Sequence, residues 1–244
     1  MEVHAHTHTA DSDHHRGKKK WTHYFWEFFM LFLAVTAGFF VENQREHMVE
    51  HKREKQYMTS MLADMKSDTL QLRKYIDRNN VLVTGLDSLF TLVKKYQPGN
   101  NRELNRKFDQ YASWILQARL SNRTITQLNN AGGMRLIRVQ LISDSILVYE
   151  ERKRLLVDQG QGYLRANEIL TDLSGKMLDY QYLLPLNTDR ISSPQPFSPV
   201  QLFEFANGVK LLKDQIETYI VYLKELSGKA TNVIALIQKH YHLK

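Results

Sequence analysis

Residues 47–51, HMVEH, have the spelling of a catalytic zinc motif. His47 and His51 are four residues apart, so on a helix they share a face and could hold one zinc ion. A catalytic zinc site also needs a third protein ligand, an open coordination position and a pocket that excludes water. The surrounding stretch, VENQREHMVEHKREKQY, is polar on every side and is typical of a solvated connecting helix. We therefore interpret the motif as a coincidence and not as a protease site.

Most of the other histidines lie near the N-terminus, in the polar segment MEVHAHTHTADSDHHRG. Neutral imidazole suits Zn²⁺, Ni²⁺ and Cu²⁺, so this tail is a candidate for weak binding of a divalent metal. The alternative is a disordered tail whose histidines have no specific ligand. The candidate metal ligands are His4, His6, His8, His14 and His15.

The body of the chain argues against an enzyme. No histidine occurs between Lys52 and Lys239, which removes the usual general base near neutral pH. The chain of 244 residues has no cysteine, which excludes disulfides, thiolate metal sites and a cysteine nucleophile. We expect no catalytic residues and no cofactor, although an enzyme that uses Glu, Lys or Tyr in a pocket remains an open alternative.

Residues 21–41, WTHYFWEFFMLFLAVTAGFFV, form an apolar segment that spans about 30 Å as a helix, the thickness of a hydrocarbon core. Trp21, Tyr24 and Trp26 cluster at its start, as in the aromatic belt at a membrane interface. These features predict a single transmembrane helix, with the lipid bilayer as a partner. A buried core helix is the alternative. A cleaved signal peptide is disfavoured because no small-x-small site follows the apolar run.

Glu27 is the single carboxylate within this segment. A carboxylate inside a membrane is a functional candidate by default, but Glu27 lies less than two turns from the start and could reach the headgroups. Arg16 and the lysines at 18–20 directly precede the segment, whereas few basic residues directly follow it. The positive-inside rule then places residues 1–20 in the cytoplasm and the chain after Val41 on the other side.

After Tyr57, apolar residues recur in alternating steps of four and three, the period of a coiled coil or of a bundle helix. Polar Asn79 occupies one of these positions, where a buried asparagine can fix register or oligomeric state. The helix is expected to end at Pro98-Gly99. The apolar seam comprises Met58, Leu62, Met65, Thr69, Leu72, Ile76, Asn79, Val83, Leu86, Phe90 and Val93.

Further helices are predicted for 103–120, for a shorter stretch that ends at Gly132-Gly133, for 134–184 and for 200–241. The proline-rich residues 185–199 are predicted to be a linker. The glycine pair lacks the spacing and the Lys-Ser/Thr end of a phosphate-binding loop, so a helix-ending turn is the better interpretation.

The predicted fold is all-α, with an N-terminal single transmembrane helix followed by an antiparallel bundle of long helices. The expected organisation is a His-rich disordered cytoplasmic tail at 1–20, a transmembrane helix at 21–41, a polar connecting helix at 42–57 and a helical bundle domain at 58–244. No helix combines a dense basic face with interleaved aromatic residues, so nucleic acid is not an expected partner.

Four stretches carry a resemblance to a known family: VENQREH at the end of 25–47, REKQYMTSMLADMKSD at 53–68, TITQLNNAGGMRLIR at 124–138 and VIALIQKHYHLK at 233–244. Through them the chain resembles a family of uncharacterised bacterial single-span membrane proteins, a domain of unknown function. The resemblance implies an inner-membrane anchor, a helical extracytoplasmic domain in the periplasm and no established activity. It concentrates at Gly132, Gly133 and Arg135, which we select as candidate interaction or structural residues together with Glu27 and Asn79.

The leading hypothesis is a single-pass inner-membrane protein whose periplasmic helical bundle acts as a scaffold or adaptor. Its partner would be another protein or a second copy of the chain. The alternative is a transmembrane sensor or metal-responsive accessory protein that uses the His-rich tail, since helical bundles attached to a span can transmit ligand state through helix shifts.

Overall fold

The structure, a computed structural model, describes residues 17–98, 101–130, 132–178 and 196–243. Within these ranges the protein is all-helical and has no strand, which confirms the all-α prediction. The helices are α1 (Gly17–Lys94), α2 (Asn101–Tyr111), α3 (Arg123–Asn130), α4 (Gln140–Gly175) and α5 (Pro199–Tyr241), with a short 3₁₀ helix at Gly133–Leu136.

The chain divides into two compact units, Met1–Arg53 and Glu54–Lys244, and α1 contributes to both. In the first unit every side chain described between 21 and 49 is exposed. By length and composition, α1 contains a segment apolar enough to cross a membrane, with a mean hydropathy of 1.8 and none of it buried. The predicted boundaries between tail, span, connecting helix and bundle stay a prediction.

In the second unit, the predicted seam forms the buried face of α1. Met58, Leu72 and Leu86 are completely buried, and the remaining seam residues are buried or half-buried. Met61 and Leu89 are buried as well, although they lie outside the strict alternation of four and three. The apolar stripe of α1 is therefore wider than a coiled-coil seam and has the width expected for a helix that faces a globular core.

Two long helices of the second unit, α4 and α5, pack against each other. Gln159 donates a 3.0 Å hydrogen bond to Gln215, and Arg152 lies 3.3 Å from Glu225. The residue numbers of the contacting pairs rise along α5 as they fall along α4, so these two helices run in opposite directions. The N-terminus of α5 has a capping box, because Ser198 Oγ accepts from Gln201 N and Gln201 Oε1 accepts from Ser198 N.

The structure differs from the sequence prediction at three helix boundaries, one of which is the end of the helix predicted for 134–184, observed at Gly175. The helix predicted for 103–120 ends at Tyr111, and residues 114–122 have no regular structure. The long helix predicted from 134 begins at Gln140, because Gly132 is left-handed with φ of 59°, a single 3₁₀ turn follows, and Ile137 is extended. The difference at Tyr111 is explained by hydrogen bonds that only the tertiary fold can supply.

Candidate functional site

Residues 112–122, here called the bridging segment, connect α2 to α3. Because they form no helix, their backbone N–H and carbonyl groups need partners from elsewhere. Buried side chains of α4 and α5 provide several of these. Asn167 Nδ2 donates to Ala112 O over 2.8 Å, Leu116 N donates to the Tyr163 hydroxyl over 3.3 Å, and Ala118 N donates to the Tyr219 hydroxyl over 2.8 Å.

The Tyr163 and Tyr219 rings contact each other at a centroid distance of 5.7 Å. Burial is the main reason that the pKa of Tyr163 rises to about 12 and that the pKa of Tyr219 also rises. Both hydroxyls therefore stay protonated at neutral pH. They act as neutral acceptors that fix the position of the bridging segment.

Asn79 binds the same segment from α1. Its side chain is completely buried, and Nδ2 donates to Tyr75 O over 2.8 Å and to Leu116 O over 3.2 Å. Its Oδ1 has no hydrogen-bond partner among the described residues. The asparagine of the seam is thus used inside the domain to hold an irregular chain segment.

Three buried carboxylates on α1 bind backbone N–H groups of distant segments. Glu54 Oε1 accepts from Arg138 N at 2.8 Å and from the Tyr241 hydroxyl at 2.6 Å. Asp64 accepts from Thr124 N and Thr124 Oγ1. Asp68 completes the set, with Oδ1 accepting from Ser121 N and Oδ2 accepting from the hydroxyl of Tyr149, each at 2.8 Å.

Asp64 is placed at the N-terminus of α3, where free N–H groups favour a negative charge. Burial opposes its ionisation, but the hydrogen bonds from Thr124 and the charge of Arg123, 2.8 Å away, outweigh it and lower the pKa of Asp64. Burial dominates at Asp68 and raises its pKa, despite the hydrogen bonds from Ser121 and Tyr149 and the nearby charge of Lys153. The Tyr149 hydroxyl, buried and beside Asp68, has its pKa raised as well.

A groove of about 720 Å³ runs between α1 and the bridging segment. We call it the basic groove because its lining includes Lys74, Arg78 and Arg119 and no carboxylate. None of these three cations forms an ion pair with a residue that the structure describes. Ammonium and guanidinium groups without a counter-charge are binding groups for carboxylates and phosphates. The other lining residues are Gln71, Tyr75, Ile115, Leu116, Gln117 and Ala118.

The residues selected from the sequence are not brought together into one site. Gly132, Gly133 and Arg135 form the turn between α3 and α4, in which Gly133 is buried against Leu128 and Arg135 is exposed. Glu27 is exposed on the first unit, 3.2 Å from His23 Nε2.

The predicted metal ligands His4, His6, His8, His14 and His15 lie outside the described residues. His47 and His51 of the zinc-like motif are exposed on α1. No group of three or more His, Cys, Asp or Glu side chains that could hold a metal ion occurs in the part of the chain that the structure describes.

Sequence reasoning missed the three carboxylates and the basic groove. A signal for Asp68 was present, because it falls between Met61, Met65 and Leu72 on the apolar face of α1. No linear signal marks the groove, since its cations come from two segments that only the fold brings together.

No family model, no curated protein and no solved structure matches the chain. The resemblance to single-span membrane proteins of unknown function therefore stays a prediction.

Proposed function

We propose that this chain is a membrane-anchored adaptor of the bacterial inner membrane. Residues 21–41 cross the membrane once, and the unit Glu54–Lys244 forms an antiparallel helical bundle in the periplasm that binds a protein partner. The opposite order of contacting residues along α4 and α5 and the short connection from α3 to α4 support the antiparallel arrangement.

The observation that carries the proposal is the uncovered apolar surface of the first unit. Trp21 is 77% exposed and Phe39 is 75% exposed, and the large apolar residues between them are exposed around the whole helix. Leaving one such side chain in water instead of burying it costs about 1.5–3 kcal/mol. A hydrocarbon layer covers every face of a helix at once, whereas a helix that packs on a protein core covers one stripe.

A binding role is supported by the basic groove, whose three cations lack counter-charges among the described residues. The buried carboxylates do not compete with this groove, because each already accepts hydrogen bonds from backbone groups within the bundle. The groove thus offers positive charge to a partner, while the buried carboxylates are hydrogen-bonded within the second unit.

Anchoring and orientation are tested by cysteine labelling. Because the chain has no native cysteine, only the introduced thiol can react. Ser88→Cys places a thiol on the exposed face of α1, and Ser12→Cys places one before the predicted span. In cells with a permeabilised outer membrane, an impermeant maleimide should modify Ser88→Cys and should reach Ser12→Cys only after lysis. Labelling of Ser12→Cys alone would reverse the orientation. Release of the protein from membranes by carbonate would refute the anchor.

A further inference from the structure

The basic groove allows a more specific statement about the partner. We propose that it binds an extended acidic peptide segment, which adds as a strand to the free edge of residues 115–119. This inference rests on the proposed adaptor function and names the chemistry that the adaptor recognises.

Alternate residues of the bridging segment use their backbone groups for contacts within the second unit. Leu116 N, Leu116 O and Ala118 N are bonded to Tyr163, Asn79 and Tyr219, respectively. The backbone groups of Ile115, Gln117 and Arg119 make no hydrogen bond with any residue that the structure describes. These three residues line the groove, as do Leu116 and Ala118.

This alternation is the pattern of an extended chain, in which successive residues direct their N–H and carbonyl groups to opposite edges. One edge of the bridging segment is occupied by the buried side chains of the bundle. On the other edge, donor and acceptor groups that have no partner among the described residues repeat every second residue, a spacing of about 6.8 Å. An exposed edge of this kind accepts a peptide strand through backbone hydrogen bonds.

The positive charges of the groove are spaced to suit an extended acidic peptide. Lys74 and Arg78 lie one turn apart on α1, and their Cβ atoms are expected to be about 5–6 Å apart. Side chains at alternate positions of a strand point to the same face at a comparable spacing. Acidic side chains two residues apart in the peptide can therefore meet both cations, while Arg119 on the opposite wall takes a third carboxylate.

A phosphate or a lipid headgroup fits the groove less completely. Such ligands offer acceptors, which suit the three cations and the free N–H groups. Any hydroxyl donors that they carry do not repeat at the spacing of the carbonyl groups of residues 115, 117 and 119, which have no partner among the described residues. A peptide strand provides donors and acceptors in alternation and so matches both the charges and the backbone edge.

The test uses the full chain in detergent micelles and a fluorescein-labelled peptide of alternating Glu and Val. Saturable binding is expected in fluorescence anisotropy. The triple variant Lys74→Gln, Arg78→Gln, Arg119→Gln should weaken the affinity by about tenfold or more, because each substitution removes a charge-assisted contact. The control variant Lys66→Gln, Arg106→Gln, Arg154→Gln removes the same charge from exposed sites and should bind as the wild type does.

Two N-methylated peptides test the strand pairing itself. Methylation of every second backbone nitrogen blocks one edge of the peptide, so one of the two alternating patterns should abolish binding and the other should retain it. Equal binding of both patterns would overturn strand addition. An equal loss of peptide affinity in the two triple variants would also overturn the proposal. So would binding of inorganic phosphate or of phosphatidylglycerol vesicles without binding of the peptide.

The outcome is independent of the cysteine-labelling test. Failure of the peptide to bind, with the labelling pattern intact, would remove the proposed recognition and leave the membrane anchor. Release of the protein from membranes, with peptide binding intact, would remove the membrane anchor and leave the proposed recognition.

Discussion

Asp68 on α1 and Tyr149 on α4 share a buried hydrogen bond of 2.8 Å between Oδ2 and the tyrosine hydroxyl. The other oxygen of Asp68 accepts from Ser121 N in the bridging segment. One carboxylate therefore connects two long helices to the irregular segment that forms a wall of the basic groove. This relationship couples the stability of the second unit to the geometry of the groove.

Tyr149→Phe is expected to destabilise the second unit by about 1–3 kcal/mol, because it leaves a buried carboxylate oxygen without its donor. The free energy of unfolding can be followed by urea denaturation of the full chain in micelles, with circular dichroism as the signal. Tyr222→Phe is the matched control, since the Tyr222 hydroxyl makes no hydrogen bond with a described residue. Equal stability of the two variants would show that the Asp68 contact contributes nothing.

Asp64→Asn should lower stability most at neutral pH. The pKa of Asp64 is below its ordinary value of 3.8 in the folded protein, so its ionised form stabilises the fold above that pH. This contribution is lost as the pH falls below about 3.8 towards the folded pKa. The difference between wild type and Asp64→Asn should therefore shrink in acid. Asp77→Asn, which removes a carboxylate from an exposed site on the same helix, is the control variant.

Asp68→Asn should show the opposite dependence on pH. The folded pKa of Asp68 is raised, so the stability that its proton supplies is present below the unfolded value of 3.8 and is lost as the pH rises through the folded pKa. The free energy of unfolding of the wild type should exceed that of Asp68→Asn by the largest amount at low pH. This difference should become smaller as the pH approaches neutrality. If the loss of stability depended on pH in the same way for Asp64→Asn and Asp68→Asn, the opposite pKa shifts of the two aspartates would be contradicted.

Gly132→Ala should destabilise the turn between α3 and α4 by about 1–2 kcal/mol, because alanine is disfavoured at positive φ. Gly132 has φ of 59°, although nothing lies within 4 Å of a Cβ built there, so the cost comes from the backbone and not from a clash. Gly228→Ala is the contrasting change, since Gly228 lies inside α5 with the same open space around it. It should stabilise the protein by roughly 0.5–1 kcal/mol through helix propensity. Thermal unfolding of both variants measures the difference.

Periodicity predicted much of the helical structure correctly. The seam on α1 and the helix at 200–241, which is observed at Pro199–Tyr241, follow from apolar spacing and from the proline at the start. Gly160 and Gly162 lie within a continuous α4, although glycine inside a helix usually weakens it. At Gly160 the reason is a close approach, because a Cβ there would lie 3.2 Å from Gln117 Nε2.

The sequence by itself determined what depends on local spacing: the all-α class, the apolar face of α1 and the exposed apolar segment at 21–41. The tertiary structure alone decided the course of the bridging segment. Its apolar residues fit a helical pattern, but side chains far away in the chain supply the hydrogen bonds that a helix would otherwise make. Because donors and acceptors separated by dozens of residues meet only after the helices pack, no local pattern reveals the groove that this segment forms.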